Sequence, residues 1–203
     1  MTEVNFGNVR GITASHFRVT AVADPIVTLD ELKLHLGIYE DDFDAMLRNI
    51  IIPASTEIVS NIMGEYASAT TVQAFYRDIA DTIILPHNHV ASITSVQYYD
   101  DVTHTLMPLT AGTDFIFDTT TQPAVLNVIA EELPSLSPRF ENALVVTYSA
   151  DIADQLFDIS AIVQATMMIA ADLWYNRSNQ TNAYARANIT ADRILAPLKR
   201  VMI

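Results

Sequence analysis

The spacing of apolar residues changes twice along this 203-residue chain, from a helical period to a strand period and back. In the first third, apolar residues recur three and four positions apart, which is typical of amphipathic helices. In the middle third, β-branched and aromatic residues form short runs between turn residues, as in strands. The last third begins with a long apolar segment at helical spacing. This order predicts an α+β fold.

The first third is predicted to be a helical hairpin. Thr28 and Glu31 have the spacing of a capping box at the start of a short helix that Gly37 ends. Three consecutive acidic residues open a second helix, and its apolar stripe continues as far as Gly64. Pro53 lies inside that stripe and is expected to kink or split the helix, because proline lacks a backbone N–H.

The middle third is predicted to form one small antiparallel β-sheet. Its strands are expected at residues 70–76, 82–85, 90–99, 103–107, 115–117, 125–129 and 143–148. A long C-terminal helix follows, from about Ile159 to Trp174, and its apolar arc is wide enough to predict burial on more than one side.

Both ends of the chain are predicted to be extended arms around one core domain at residues 27–178. Residues 1–26 have mixed polarity without a sustained period and are interpreted as an N-terminal arm. Residues 179–203 form a C-terminal tail with only a weak amphipathic segment. Ends of this kind suit a subunit that docks on its neighbours in an assembly.

The chain is acidic, with 24 Asp and Glu against 11 Lys and Arg and a formal net charge of −13. Tight binding to a phosphate backbone needs clustered basic residues, and only the tail shows such a bias. The acidity fits either general solubility or a surface that DNA passes without sticking. No apolar run approaches the roughly 20 residues that span a bilayer, so no membrane partner is predicted.

No set of residues with catalytic spacing is found, and we predict no enzyme activity, cofactor or metal site. His87 and His89 flank Asn88 and could chelate a metal, as in a metal-dependent nuclease, but further ligands at defined spacing are missing and a polar turn is favoured. The chain has no cysteine, no glycine-rich phosphate loop and no serine-nucleophile motif. The acidic pair Asp100-Asp101 fits a hairpin turn.

Three segments resemble the head-tail connector (adaptor) family of long-tailed bacteriophages. They are VTLDELKLHLGI at 27–38 with DDFD at 41–44, VVTYSA at 145–150, and the helix end WYNR at 174–177. The resemblance implies a structural virion protein, made in the host cytoplasm and located in the neck. It implies a ring of about twelve copies under the portal protein, which connects the DNA-filled head to the tail and lines the DNA channel.

The resemblance also implies partners and contact residues. The partners are the portal protein, neighbouring copies, the next neck or tail-terminator protein, and genomic DNA in transient, non-specific passage. The tail residues expected to dock on the portal are Ile189, Arg193, Ile194, Leu195, Leu198, Lys199 and Arg200. Contacts between subunits are expected at Trp174, Tyr175 and Arg177, although closure of a core by the aromatic residues stays open.

Two alternatives to a connector ring remain. The same acidic composition fits a soluble interaction or assembly-chaperone module that is not retained in the virion. A metal-dependent nuclease built on His87 and His89 is the weaker alternative.

The connector hypothesis further predicts that a chain lacking residues 187–203 still folds but no longer joins portal-bearing heads.

Overall fold

The computed structural model describes residues 3–6, 9–22, 25–118, 121–129, 134–152, 159–176 and 189–199. The chain divides into two compact units. A β unit consists of Met1–Val22 and Thr70–Asp151, and a helical unit consists of Ala23–Ala69 and Ile152–Met202. The combination of sheets and helices confirms the predicted α+β class.

Among the described residues of the β unit, ten strands form two five-stranded sheets. The strands are β1 (Glu3–Phe6), β2 (Val9–Thr13), β3 (His16–Val22), β4 (Thr70–Tyr76), β5 (Thr82–Ile84), β6 (Val90–Tyr99), β7 (Leu106–Leu109), β8 (Phe115–Asp118), β9 (Val125–Val128) and β10 (Leu144–Ala150). The first sheet has the order β1-β2-β5-β9-β8, with a parallel pair between β2 and β5. The second has the order β3-β4-β10-β6-β7 and is antiparallel throughout.

The predicted N-terminal arm is wrong over its described strands. β3 pairs with β4 from its first residue to its last, from His16 opposite Phe75 to Val22 opposite Thr70. β2 pairs with β5 of the first sheet, and β1 pairs with β2. These backbone hydrogen bonds hold the segment within its own chain. The expectation of one small sheet is corrected in the same way, because the N-terminal strands help to build two.

Tyr76 connects the two sheets of the β unit. Its side chain is completely buried, and its hydroxyl donates a hydrogen bond to the Ile84 carbonyl at 3.0 Å. Burial raises the pKa of Tyr76, because the phenolate would lose its hydration. The hydroxyl therefore stays protonated and keeps its donor role.

Gly11 lies where β2 packs closely against β5. A Cβ atom added at Gly11 would lie 2.7 Å from the Thr82 backbone oxygen, which cannot move as a side chain would. We expect Gly11→Ala to lower the free energy of unfolding by about 1–3 kcal/mol through overpacking. Chemical denaturation measures the change. The control Ala21→Val adds methyl groups on the exposed strand β3 and should change stability by less than about 0.5 kcal/mol.

The helical unit begins with α1 (Leu29–Leu36), and its ends match the sequence prediction. The Thr28 hydroxyl accepts from the Glu31 N–H, and the Glu31 carboxylate accepts from the Thr28 N–H at 2.8 Å. The hydrogen bonds from Thr28 lower the pKa of Glu31. Gly37 ends the helix in a left-handed conformation at φ 69°. The predicted capping box and the Gly37 end are confirmed.

The next helix is interrupted as Pro53 predicted. A short turn, Asp44–Met46, leads into a π-helical turn, Leu47–Ile51, which is followed by α2 (Ile52–Met63). Pro53 thus lies in the first turn of α2, where a missing N–H costs no hydrogen bond within the α-helix. The chain leaves α2 through Gly64 at φ 76°.

Two further α-helices are described in the helical unit, α3 (Ser160–Tyr175) and α4 (Ile189–Leu195), the second followed by a 3-10 turn, Ala196–Leu198. One core cluster joins residues of α2, α3 and α4: Val59, Met63, Ile162, Ala165, Ile169, Ala191 and Leu195. A second joins α1, the π-helical turn and the start of α2 to the end of α3: Leu32, Leu47, Ile51, Ile52, Ala170 and Trp174. Helix α3 therefore contributes to both clusters.

Candidate interaction surfaces

His87 is buried in the β unit and takes part in an aromatic cluster. Its Nδ1 lies 2.6 Å from the Tyr148 hydroxyl, and both side chains are almost fully buried. The Phe17 ring meets the imidazole edge-on, with 4.9 Å between ring centroids. This arrangement packs β3 against the body of the sheet, which is a structural role for the first histidine of the pair.

The described residues hold no group of three or more His, Asp or Glu side chains that could bind a metal ion. His89, the second histidine, accepts a backbone hydrogen bond from Asp151 at 2.9 Å through its carbonyl. In the part of the chain that the structure describes, no helix is long and apolar enough to cross a membrane.

Of the three predicted subunit contacts, Trp174 is corrected. Its side chain is only 7% exposed, lies in the second core cluster, and meets Phe43 edge-on at 5.1 Å between centroids. It therefore closes the core of its own chain. The neighbouring Tyr175 is 70% exposed and stays a predicted contact residue. Arg177 lies outside the described residues.

The predicted portal-docking tail is partly built into the core. Leu195 is completely buried against α2 and α3, so its predicted docking role is wrong, and Ile194 and Leu198 are partly buried against the same cluster. Ile189 and Arg193 are exposed and stay predicted docking residues. Lys199 forms an ion pair with Asp192 at 2.7 Å, and Arg200 lies outside the described residues.

An acidic loop lies between α1 and the second helix. Lys33 Nζ contacts Asp41 Oδ1 at 2.7 Å and Asp44 Oδ1 at 2.8 Å, which fixes the loop against α1. Lys33 lowers the pKa of Asp41, and the two carboxylates raise the pKa of Lys33, Asp41 contributing most. Tyr39 and the acidic side chains of Glu40 and Asp42 are exposed. The loop therefore offers a charged contact surface, whereas the sequence indicated only a helix cap.

The edge strand β3 is a surface that the sequence did not indicate. All seven of its residues are exposed, and among the described residues it pairs only with β4. Its apolar side chains Phe17, Val19 and Val22 are about half exposed. Exposed apolar side chains on an open sheet edge are typical of a contact with another chain.

The hairpin between β6 and β7 is fixed by Asp100, which confirms the predicted turn. The Asp100 carboxylate accepts hydrogen bonds from the Val102 N–H at 3.1 Å, the Thr103 N–H at 2.8 Å and the Thr103 hydroxyl at 2.8 Å. The hydrogen bonds from Thr103 contribute most to lowering the pKa of Asp100. The turn holds Asp101 and Val102 out in solvent.

We expect the hairpin turn to loosen in acid. Because folding lowers the pKa of Asp100, its stabilisation is fully present above the usual aspartate pKa of about 3.9 and is lost as pH falls through the lower folded value. Amide hydrogen exchange at Val102 and Thr103 should accelerate relative to intrinsic rates across that range. Asp100→Asn should show the faster exchange already at neutral pH. Equal exchange in the two proteins at neutral pH would contradict the role of the carboxylate.

Residues 26–104 match the family model of the phage gp6-like head-tail connector proteins. This match confirms the resemblance in the first helices and extends through β4, β5 and β6. Comparison with curated protein sequences gives no match.

Solved structures with the same fold come from gene transfer agent particles. A chain in the neck of an empty particle, computed with C6 symmetry, has a TM-score of 0.66 at 16% identity over 93% of this chain and 97% of its own. A chain in the virion of the native particle has a TM-score of 0.66 at 17% identity over 92% of this chain and 96% of its own. A chain in the neck of the native particle, computed with C12 symmetry, has a TM-score of 0.57 at 16% identity over 92% of this chain and 97% of its own. The fold of this chain is therefore shared along almost its whole length.

Proposed function

We propose that this protein is a structural subunit of a virion neck, located between the DNA-filled head and the tail. The observation that carries the proposal is the fold shared with neck chains over more than nine-tenths of both lengths. The match of residues 26–104 to the head-tail connector family supports it independently. Exposed edges and loops on a stable core suit an assembly subunit, and the role is structural rather than enzymatic.

The proposed assembly is a ring of about twelve copies under the portal protein, through which genomic DNA passes. The C12 symmetry of a neck structure with this fold supports the copy number. A net charge of −13 per copy gives a ring of twelve a strongly negative field. A negative lumen repels a moving polyanion weakly and prevents it from binding.

The proposed contact with the portal uses the exposed residues of the C-terminal segment. Ile189 and Arg193 lie on the solvent side of α4, whereas Ala191 and Leu195 anchor that helix in the core. Helix α4 is thereby held in place, so its exposed side can bind a partner with little loss of conformational freedom. The next neck or tail-terminator protein would bind at the opposite end of the ring.

Quantitative mass spectrometry of purified tailed particles tests the proposed location. We expect about twelve copies of the chain for each portal ring, retained after washing in high salt. The alternative of an assembly chaperone predicts that the chain is present in lysates and absent from finished particles. That second result would remove the proposed function.

A further inference from the structure

The second sheet has two unlike open edges, and they lie at opposite sides of it. In the order β3-β4-β10-β6-β7, the outer strands β3 and β7 each pair with one neighbour among the described residues. Every pair in this sheet is antiparallel, so strand direction alternates and β3 and β7 run the same way. Rotation about a ring axis can therefore bring β3 of one copy beside β7 of the next, with the strands parallel.

The β3 edge carries an apolar face that its own chain covers only in part. Phe17 stands opposite Ala74 and Val19 opposite Val72, so these pairs share a face of the sheet. Val72 and Ala74 are fully buried, whereas Phe17 is 47% and Val19 45% exposed. The contact of the Phe17 ring with His87 holds this edge in place before any partner binds.

The β7 edge is also apolar, but its backbone is less suited to extend a sheet. Leu106 and Met107 are about two-fifths exposed. The next residue, Pro108, has no backbone N–H, a feature of edge strands that do not form a full ladder with a partner. A contact at this edge would rest on side chains more than on backbone hydrogen bonds.

The charges of the two edges are complementary. The β3 edge carries Arg18 in a chain with few basic residues, and its guanidinium is held by two hydrogen bonds to Gln73 Oε1, at 2.9 and 2.7 Å. The hairpin that leads into β7 carries Asp100 and Asp101 and no lysine or arginine. Two β3 edges would bring like charges together, as would two β7 hairpins. Only the unlike pairing brings Arg18 towards the acidic hairpin.

We propose that the β3 edge of one copy binds the β7 edge and the β6–β7 hairpin of the next copy, and that this contact builds the ring. The inference rests on the proposed function, because a ring needs two different, complementary surfaces on each subunit. Phe17 and Val19 would cover Met107, which lies on the same face of the sheet, whereas Leu106 lies on the face of Arg18. The Arg18 side chain would lie towards Asp101 of the next copy.

Thiol cross-linking tests the contact directly, since the chain has no cysteine of its own. Val19→Cys and Met107→Cys are introduced together, and the protein is treated with a short bismaleimide. We expect a ladder of covalent oligomers on a denaturing gel. A mixture of the two single variants should stop at covalent dimers, because each copy then offers only one reactive edge.

The matched control combines Val19→Cys with Ile116→Cys, an equally exposed position on the edge strand β8 of the other sheet. It should give no ladder. A ladder of equal intensity from the control, or no ladder from Val19→Cys with Met107→Cys, overturns the edge contact. Rings seen by mass photometry without that ladder would leave the proposed function standing. A ladder from a protein that is absent from finished particles would remove only the proposed function.

Charge exchange gives a second readout in the full-length protein. Arg18→Glu and Asp101→Arg should each weaken self-association about two- to fivefold, the usual range for an exposed ion pair. The double variant should regain part of the loss, because the pair is restored with its charges reversed. Weakening that simply adds in the double variant would show that these residues do not face each other and would overturn the proposed orientation.

Discussion

Trp174→Ala is expected to lower the free energy of unfolding of the helical unit by about 3–5 kcal/mol. The side chain is almost fully buried among residues of α1, the π-helical turn and α2, and its ring meets Phe43 edge-on. Its removal leaves a cavity lined by several elements, which the surrounding helices can fill only in part. Denaturation followed by circular dichroism at the helical band measures the loss, because the variant has no tryptophan left for fluorescence.

The control for this substitution is the next residue in the chain. Tyr175→Ala removes a side chain of similar size that is 70% exposed, and it should change stability by less than about 0.5 kcal/mol. If Tyr175 acts in a subunit contact, its loss should weaken assembly and leave folding intact. Equal destabilisation by the two variants would contradict the assignment of Trp174 to the core.

Leu195→Ala is expected to cost about 2–5 kcal/mol, although it lies in a segment that the sequence predicts to be a docking tail. Leu195 is completely buried against α2 and α3. Removing α4 altogether should destabilise the helical unit further, in contrast to the sequence-based prediction that a chain lacking residues 187–203 still folds. Fluorescence of Trp174, the single tryptophan, follows unfolding of this unit.

Ile189→Ala is the matched control on the same helix. Ile189 is 59% exposed, so its truncation should leave the unfolding free energy within about 0.5 kcal/mol of the wild type. If the exposed side of α4 binds the portal, this variant should still fold but join heads less efficiently. A stable Leu195→Ala protein would show that α4 does not depend on this core contact.

The elements that the sequence predicted well are those that local chemistry determines. The ends of α1 follow from Thr28, Glu31 and Gly37, whose effects reach no further than one helical turn. The interruption of the second helix follows from Pro53, which acts on its own turn. The predicted bounds of β4 match the observed ones. Its alternate positions are buried, and its β-branched and aromatic residues indicate a strand of that kind.

The N-terminal strands were not predicted, and two of them, β2 and β3, have partners far along the chain. β3 pairs with β4 between 48 and 59 residues further along the chain, and all its residues are exposed. Apolar residues alternate with polar ones from His16 to Ala21, but this pattern is short and lies in a segment without a sustained period. The interpretation of residues 1–26 as an arm missed the apolar residues of β3, which in the folded chain form the surface on which the proposed subunit contact depends.

The tail was misjudged because its helix is short and only two of its residues are buried. Ala191 and Leu195 are four positions apart and give a weak pattern, while the exposed Ile189 resembles a core residue in sequence. The sequence of the C-terminal segment therefore did not distinguish its core residues from its exposed residues. The same limit applies to Trp174, since an aromatic residue at a helix end suits a core and an interface equally well.

The most direct test of the neck assignment is an electron cryomicroscopy reconstruction of the neck of the purified tailed particle, with symmetry tested and not imposed. We predict a ring of about twelve copies of this chain directly beneath the portal, with DNA in its lumen and β3 of each copy beside β7 of the next. A neck in which no density accommodates this fold would contradict the assignment.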